Sequence, residues 1–261
     1  MPTLNTSKNC FLEYQTSGTI GPWVTLINGH TRSSSDFRMF SKHLVKSGFR
    51  TLVFDNRGSG KTRTSEPFLL SDMRDDVLSL WQEIGIEKSH VIGISMGGWI
   101  AQTLSQKASD RIISLTLIST SSRVLNTSKE LKPWGNSEIS VRAKLEPYLS
   151  DRFISKNKIL FEAMVKQIAK SNVNDEFDAQ AGEQRNAIRN FQIDHAGTQI
   201  LCRTLIIHGS DDRVLPLEEA TLLANLIPNS RLSVLEGMGH LLLAEDPKTL
   251  YESTTEFIRS C

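Results

Sequence analysis

The sequence predicts an α/β protein: a mostly parallel sheet covered by helices on both faces. Three observations carry this. Short β-branched runs alternate with amphipathic stretches of helical spacing. The connections between them are short, as crossover units require. One long stretch, from about Ser121 to His195, interrupts the alternation with helix-forming segments and no strand, which reads as a helical insertion on a continuing sheet.

The elements follow in order. "WVTLIN" (23–28) and "RTLVFD" (50–55) read as strands. "SDFRMFSKHLVKSG" between them reads as a helix, with Gly48 placed to end it. "LLSDMRDDVLSLWQEIGI" carries Met73, Val77, Leu80, Trp81 and Ile84 at helical spacing. Strand "HVIGI", helix "MGGWIAQTLSQKA" and strand "IISLTLIS" come next. In the insertion, "KILFEAMVKQIAK" and "DAQAGEQRNAIRNFQ" read as helices. The alternation resumes with "RTLIIHG", helix "LEEATLLANLI", strand "RLSVLE" and a last helix through "KTLYESTTEFIRS". The expected organisation is a core of residues 1–120 and 196–261 with a lid of 121–195.

Composition narrows the classes of function. Lys+Arg 30 against Asp+Glu 29 leaves a formal charge of +1, without the basic footprint of a nucleic-acid or membrane-surface binder. No apolar run approaches the roughly 18 residues of a membrane helix. "MPTLNTSKNCFLEYQ" lacks the basic-plus-apolar pattern of a signal segment. Cys10, Cys202 and Cys261 are far apart and odd in number, so they read as free thiols, and a cytoplasmic location is expected.

The stretch with the most chemistry is "VIGISMGGWI" (91–100). Gly93-Ile94-Ser95-Met96-Gly97 is G-x-S-x-G between a strand and a helix, the setting of a nucleophile elbow. A sharp turn there holds the serine in a sparsely allowed backbone conformation and exposes its hydroxyl, so side chains two residues either way would collide with the turn. The bland reading is a glycine-rich strand end needed for helix packing. A nucleophilic serine needs a base, and the base an orienting carboxylate, in the order Ser, acid, His at later strand ends. "TLIIHGSDDRVLP" (204–216) supplies Asp211 and Asp212, and "LSVLEGMGH" (232–240) supplies His240. "GSGKT" (58–62) invites a P-loop reading, but the glycine that G-x-x-x-x-G-K-[ST] needs at position 55 is Asp55.

With these motifs in place, the chain resembles the α/β-hydrolase superfamily along nearly its whole length. "NGHTRSS" resembles the loop after the third strand, "DNRGSGKT" the D-x-R-G-x-G-x-S/T turn, "HGSDDRVLP" the acid turn and "GMGH" the histidine loop. "DMRDDVLSLWQEIGIEKSHVIGISMGGWIAQ" and "LISTSS" most resemble small carboxylesterases of the aclacinomycin methylesterase and enol-lactonase kind. The resemblance implies an α/β-hydrolase fold with a helical cap and a serine triad of Ser95, Asp212 and His240. The family pattern G-x-x-D-x-x-x-P fits Gly209, Asp212 and Pro216, which leaves Asp211 as a turn residue. It implies an oxyanion hole from the backbone N–H groups of Met96 and His30, with Asn28 standing where the family has histidine. His208 ends an apolar strand and reads as buried and hydrogen-bonded.

The implied activity is hydrolysis of small to medium carboxylic esters through an acyl-enzyme, with no cofactor and no metal. The same triad also serves C–C bond hydrolases, lactonases and acyl-carrier or methyl-ester hydrolases. Trp134, Phe153 and Met164 of the insertion are candidate substrate contacts, though apolar residues at helical spacing are more often packing residues. The expected partner is a small-molecule ester, with neither nucleic acid nor membrane. Arg142, Arg152, Arg185 and Arg189 leave open an acyl group presented on a carrier protein.

Overall fold

The computed structural model describes residues 2–7, 9–126, 137–171, 175–193 and 199–261. The strands are β1 (Thr3–Thr6), β2 (Cys10–Ser17), β3 (Trp23–Ile27), β4 (Arg50–Phe54), β5 (Ser89–Ile94), β6 (Ile112–Ile118), β7 (Arg203–Gly209) and β8 (Ser230–Leu235). They form one sheet in the order β1-β2-β4-β3-β5-β6-β7-β8. β1 and β2 pair antiparallel with each other, β2 pairs antiparallel with β4, and the rest is parallel. The six parallel strands match the sequence expectation. The two antiparallel strands at the edge do not appear in it, because "TLNT" is short and neither it nor "CFLEYQTS" has a β-branched run.

The helices are α1 (Arg38–Lys46), α2 (Leu70–Ile84), α3 (Met96–Lys107), α4 (Glu138–Leu145), α5 (Asp151–Lys156), α6 (Lys158–Ser171), α7 (Asp175–Arg189), α8 (Leu217–Leu226), α9 (Leu242–Glu245) and α10 (Pro247–Arg259). Strand side chains alternate between faces, and each face builds its own core. On one face Leu26, Ile92 and Ile207 lie under Phe40 and Leu44 of α1 and Phe257 and Ile258 of α10. On the other, Ile27, Val91 and Ile206 lie under Val77 and Trp81 of α2, Ile100 and Leu104 of α3, and Leu223 of α8. Each fully buried Leu, Ile or Phe contributes about 1.5–3 kcal/mol. Gly48 has φ 92°, so it ends α1 as expected.

Between β6 and β7 the described residues form α4–α7. Val141, Leu145, Leu149, Phe153, Phe161 and Val165 make a third apolar cluster there. α7 is fastened to the core by its glutamines. The buried Gln184 amide donates to Arg57 O at 2.5 Å and Ser59 Oγ at 2.7 Å, and its Oε1 accepts from Thr31 N at 2.7 Å. Gln180 donates to Thr64 O at 3.0 Å. A Cβ at Gly58 (φ 73°) would lie 2.7 Å from Gln180 O, which is why the D-x-R-G turn carries glycine where α7 crosses it.

His90 of β5 is buried, with Nδ1 2.8 Å from Ser114 Oγ and the Phe49 ring edge-on at 5.9 Å. Burial pushes its pKa down from 6.5 to about 4. The unfolded chain therefore holds more protons than the native one between those values, and stability is lost as pH falls through that window. His30, lowered to about 4 by the same cause, acts in the same direction. The Tm should drop between pH 7 and 4, and His90→Gln should flatten the decline. An unaltered slope in that variant would show that His90 stays uncoupled from folding.

Candidate active site

The chain leaves β3 toward β4 on one side and reaches β5 on the other, so the strand order reverses at β3 and β5. Clefts form at such a reversal, beyond the C-terminal strand ends. Register places Ile27 of β3 beside Gly93 of β5, so the loop after β3 and Ser95 share that crevice.

Ser95 has φ 53° and ψ −119° and precedes α3 directly. Three bonds hold this strained residue in place. Ser95 N donates to Ile118 O at 2.9 Å, and Ser95 O accepts from Gly98 N at 2.8 Å and Thr120 Oγ1 at 2.9 Å. The surrounding glycines are explained by what a Cβ would meet. At Gly93 it would lie 2.4 Å from Gly97 O, across the turn as the sequence suggests. At Gly97 it would lie 2.2 Å from Ile27 O of the neighbouring strand, and at Gly98 2.5 Å from Thr120 Oγ1. The last two are tertiary clashes, not clashes within the turn.

Ser95 Oγ lies 3.1 Å from His240 Nε2, and His240 Nδ1 lies 2.7 Å from Asp212 Oδ2. The other carboxylate oxygen, Oδ1, accepts from Val214 N and Leu215 N, each at 2.9 Å. Burial acts to raise the Asp212 pKa, but the His240 imidazole and the Leu215 N–H outweigh it and hold the carboxyl below its usual range. Asp211 is exposed and accepts from Ser210 Oγ at 2.8 Å, as a turn residue does. The acid and histidine loops touch: a Cβ on Gly209 would lie 2.2 Å from Met238 O.

The histidine loop is tied to the chain around Tyr148. His240 N and Leu241 N both donate to Tyr148 O at 3.0 Å, and the Tyr148 ring stands edge-on to the His240 ring at 5.4 Å. Glu245 accepts from Gly239 N at 3.0 Å, Ser150 N at 2.9 Å and Ser150 Oγ at 2.5 Å. The strap at 149–150 passes so close that a Cβ on Gly239 would lie 2.7 Å from Ser150 N, which accounts for the second glycine of "GMGH".

Met96 begins α3 and His30 follows β3, and both line the cavity beside Ser95. The N–H groups flanking His30 are committed, Gly29 N to Asn28 Oδ1 at 2.8 Å and Thr31 N to Gln184 Oε1. Asn28, the departure from the family pattern, is buried and organises this loop. Its side-chain amide donates to Ser33 O at 2.7 Å and Asp36 Oδ2 at 3.1 Å, and its backbone carbonyl accepts from Asn56 Nδ2 at 2.9 Å. Asp55 accepts from Ser34 N and from Lys61 N, so "GSGKT" curls around a carboxylate where a P-loop would hold phosphate.

The cavity over Ser95 has a volume of about 200 Å³ and mostly apolar walls, including Trp99, Leu145, Met164, Ile188, Leu215 and Leu241. Of the candidate contacts, Met164 lines this cavity. Phe153 packs inside the α4–α6 cluster with residues such as Leu149 and Phe161 and does not line the cavity. Its helical face turns toward neighbouring helices, a choice that periodicity leaves open. Trp134 lies outside the described residues. Tyr148 and Leu241 are wall residues the sequence reading missed; nothing in their local pattern marks them.

Fold and site define the class. The family model of the α/β hydrolase fold matches residues 22–247, and the chain belongs to that family. Among curated relatives, 3-oxoadipate enol-lactonase 1 of Acinetobacter baylyi is 26% identical over 83% of this chain and 81% of its own. A putative carbamate hydrolase, RutD, of a Caulobacter species is 27% identical over 82% of each. A meta-cleavage product hydrolase of Pseudomonas fluorescens superposes with a TM-score of 0.85 at 20% identity, covering 100% of this chain and 98% of that one, a likeness of fold. Among the described residues no helix is long and apolar enough to cross a membrane.

Proposed function

We propose that this chain hydrolyses carboxylic esters of small to medium acyl groups, with Ser95, His240 and Asp212 as the catalytic triad. One observation carries the reading: the continuous hydrogen-bonded chain from Ser95 Oγ through the His240 ring to Asp212, at 3.1 and 2.7 Å. Ser95 Oγ attacks the ester carbonyl as His240 Nε2 takes its proton, and Asp212 fixes the ring tautomer and stabilises the imidazolium. The oxyanion is received by the N–H groups of Met96 and His30, with the N-terminal end of α3 adding positive potential. His240 then protonates the leaving alkoxide. Water activated by the same ring hydrolyses the acyl-enzyme, and the cycle calls on no metal or cofactor.

Residues 121–195 act in this reading as a lid on the core of 1–120 and 196–261. Leu145, Met164, Ile168 and Ile188 of its helices contribute to the cavity wall. A cavity of about 200 Å³ favours a short acyl chain. The enol-lactonase relative is named for a lactone, which is a cyclic ester. Cys10, Cys202 and Cys261 are free thiols, which supports a reducing, cytoplasmic setting.

The test is a series of p-nitrophenyl esters from acetate through butyrate and octanoate to palmitate, with a fluorophosphonate adduct mapped by peptide mass. The adduct should sit on Ser95, and kcat/KM should fall for chains beyond about ten carbons as the pocket runs out of length. An optimum at palmitate overturns the small-pocket reading. An adduct elsewhere, or none, overturns the triad. An adduct on Ser95 with negligible rates on every ester rejects ester hydrolysis and leaves the triad to other acyl or C–C substrates.

A further inference from the structure

We propose that His208, the penultimate residue of β7, is a positioning residue for the triad, acting on Asp212 at the carboxylate oxygen that His240 meets. The inference rests on the triad reading above. His208 Nε2 lies 2.8 Å from Leu215 O and 3.3 Å from Asp212 Oδ2, the same oxygen that His240 Nδ1 meets at 2.7 Å. The side chains of His208 and Asp212 are both fully buried.

The geometry assigns the proton. Both neighbours of Nε2 are acceptors, so Nε2 carries the hydrogen, donates it to the Leu215 carbonyl and turns this positive edge of the ring toward the Asp212 carboxylate 3.3 Å away. Nδ1 then has a bare lone pair, and it is a buried atom without a hydrogen-bond partner. Burial holds the ring's pKa below its ordinary value, so it stays neutral through the working range. Asp212 thus accepts three hydrogen bonds, from two backbone N–H groups on Oδ1 and from His240 on Oδ2, while the His208 ring faces Oδ2 at 3.3 Å. When His240 turns imidazolium, the neutral His208 donor keeps the carboxylate aimed at it without adding a competing charge.

The other ionisable groups around the pair are accounted for. Tyr148 faces His240, and its pKa is pushed up to about 12 by burial and by the Asp212 charge, so its phenol stays neutral. Arg213 turns outward to Asp151 at 3.1 Å and to the carbonyls of Glu146 and Leu149. Asp211 bonds Ser210, and Glu245 is bound to Gly239 and Ser150.

The test compares His208→Phe, which removes the donor at similar volume, with His208→Gln, which restores an N–H. Two readouts are used: the pH profile of kcat/KM on p-nitrophenyl butyrate and an NMR titration of the His240 ring. Without the donor, charge on Asp212 Oδ2 is less well spread and holds the imidazolium harder. In the Phe variant the acid limb of the profile should therefore move to higher pH, and kcat should fall about tenfold, the factor that one pKa unit is worth. The Gln variant should return both toward wild type. A merely structural role would lower the Tm of both variants while the His240 titration stays in place, and that result overturns the proposal. Should the wild type neither cleave the ester nor take the fluorophosphonate on Ser95, the catalytic reading fails. The NMR titration still reports separately on whether His208 acts through Asp212.

Discussion

Asp212→Asn should lower kcat on a short-chain ester by about 10⁴-fold, the scale of the equivalent loss in serine proteases. The carboxylate oxygen 2.7 Å from His240 Nδ1 would become an amide, and an N–H there would face the ring nitrogen that must itself donate. The ring would take the opposite tautomer, with its hydrogen on the nitrogen facing Ser95. The base would then have no lone pair for the serine proton. Asp211→Asn is the matched control. It touches an exposed side chain bonded to Ser210, so it should change stability by no more than about 1 kcal/mol and leave turnover nearly intact. Steady-state kinetics on both variants, with circular dichroism to verify folding, decide the matter. A dead Asp211 variant beside an active Asp212 variant would move the acid by one residue and undo the assignment.

Asp76→Ala should destabilise the fold by about 3–5 kcal/mol, because it leaves a guanidinium buried without its counter-charge. Arg57 is fully buried and bidentate to Asp76, Nε to Oδ2 at 2.6 Å and Nη2 to Oδ1 at 2.7 Å. Thr6 Oγ1 also donates to Asp76 at 2.8 Å, so β1 is tied to the same pair. The consequence reaches the site, since the Arg57 carbonyl is where Gln184 of α7 is fastened. Urea denaturation measures the loss. Replacing both partners by apolar residues of similar volume, as in Arg57→Met with Asp76→Leu, should recover most of it. A single Asp76→Ala variant as stable as wild type would show that the guanidinium finds water or another acceptor.

Much of this molecule was legible in local pattern. The strand and helix runs from 23 to 118 and from 203 to 259 lie within a few residues of their expected places, because burial on both sheet faces forces apolar runs and one-sided helices force a 3.6 period. The elbow was legible through its glycines, although only Gly93 is required across the turn at Ser95, and Gly97 and Gly98 make room for β3 and Thr120. The order of serine, acid and histidine was expected from the elbow motif, and the choice of Asp212 over Asp211 from the family pattern.

Only the tertiary structure decided the rest. The antiparallel edge of β1 and β2 was invisible because pairing between strands is not encoded in either strand's own period. Ser95 and His240 are 145 residues apart, and no spacing rule states that their atoms lie 3.1 Å from each other. Phe153 and Met164 share the same helical pattern, yet one is packed among helices and the other faces the cavity, since which neighbour a helix face meets is set by how the helices cross. Asn28 stands where the family pattern has histidine, and it organises the loop after β3 only once Ser33, Asp36 and Asn56 are folded around it. Hydrogen bonds between distant side chains depend on distances of a few tenths of an ångström, and those distances exist only after the whole chain has packed.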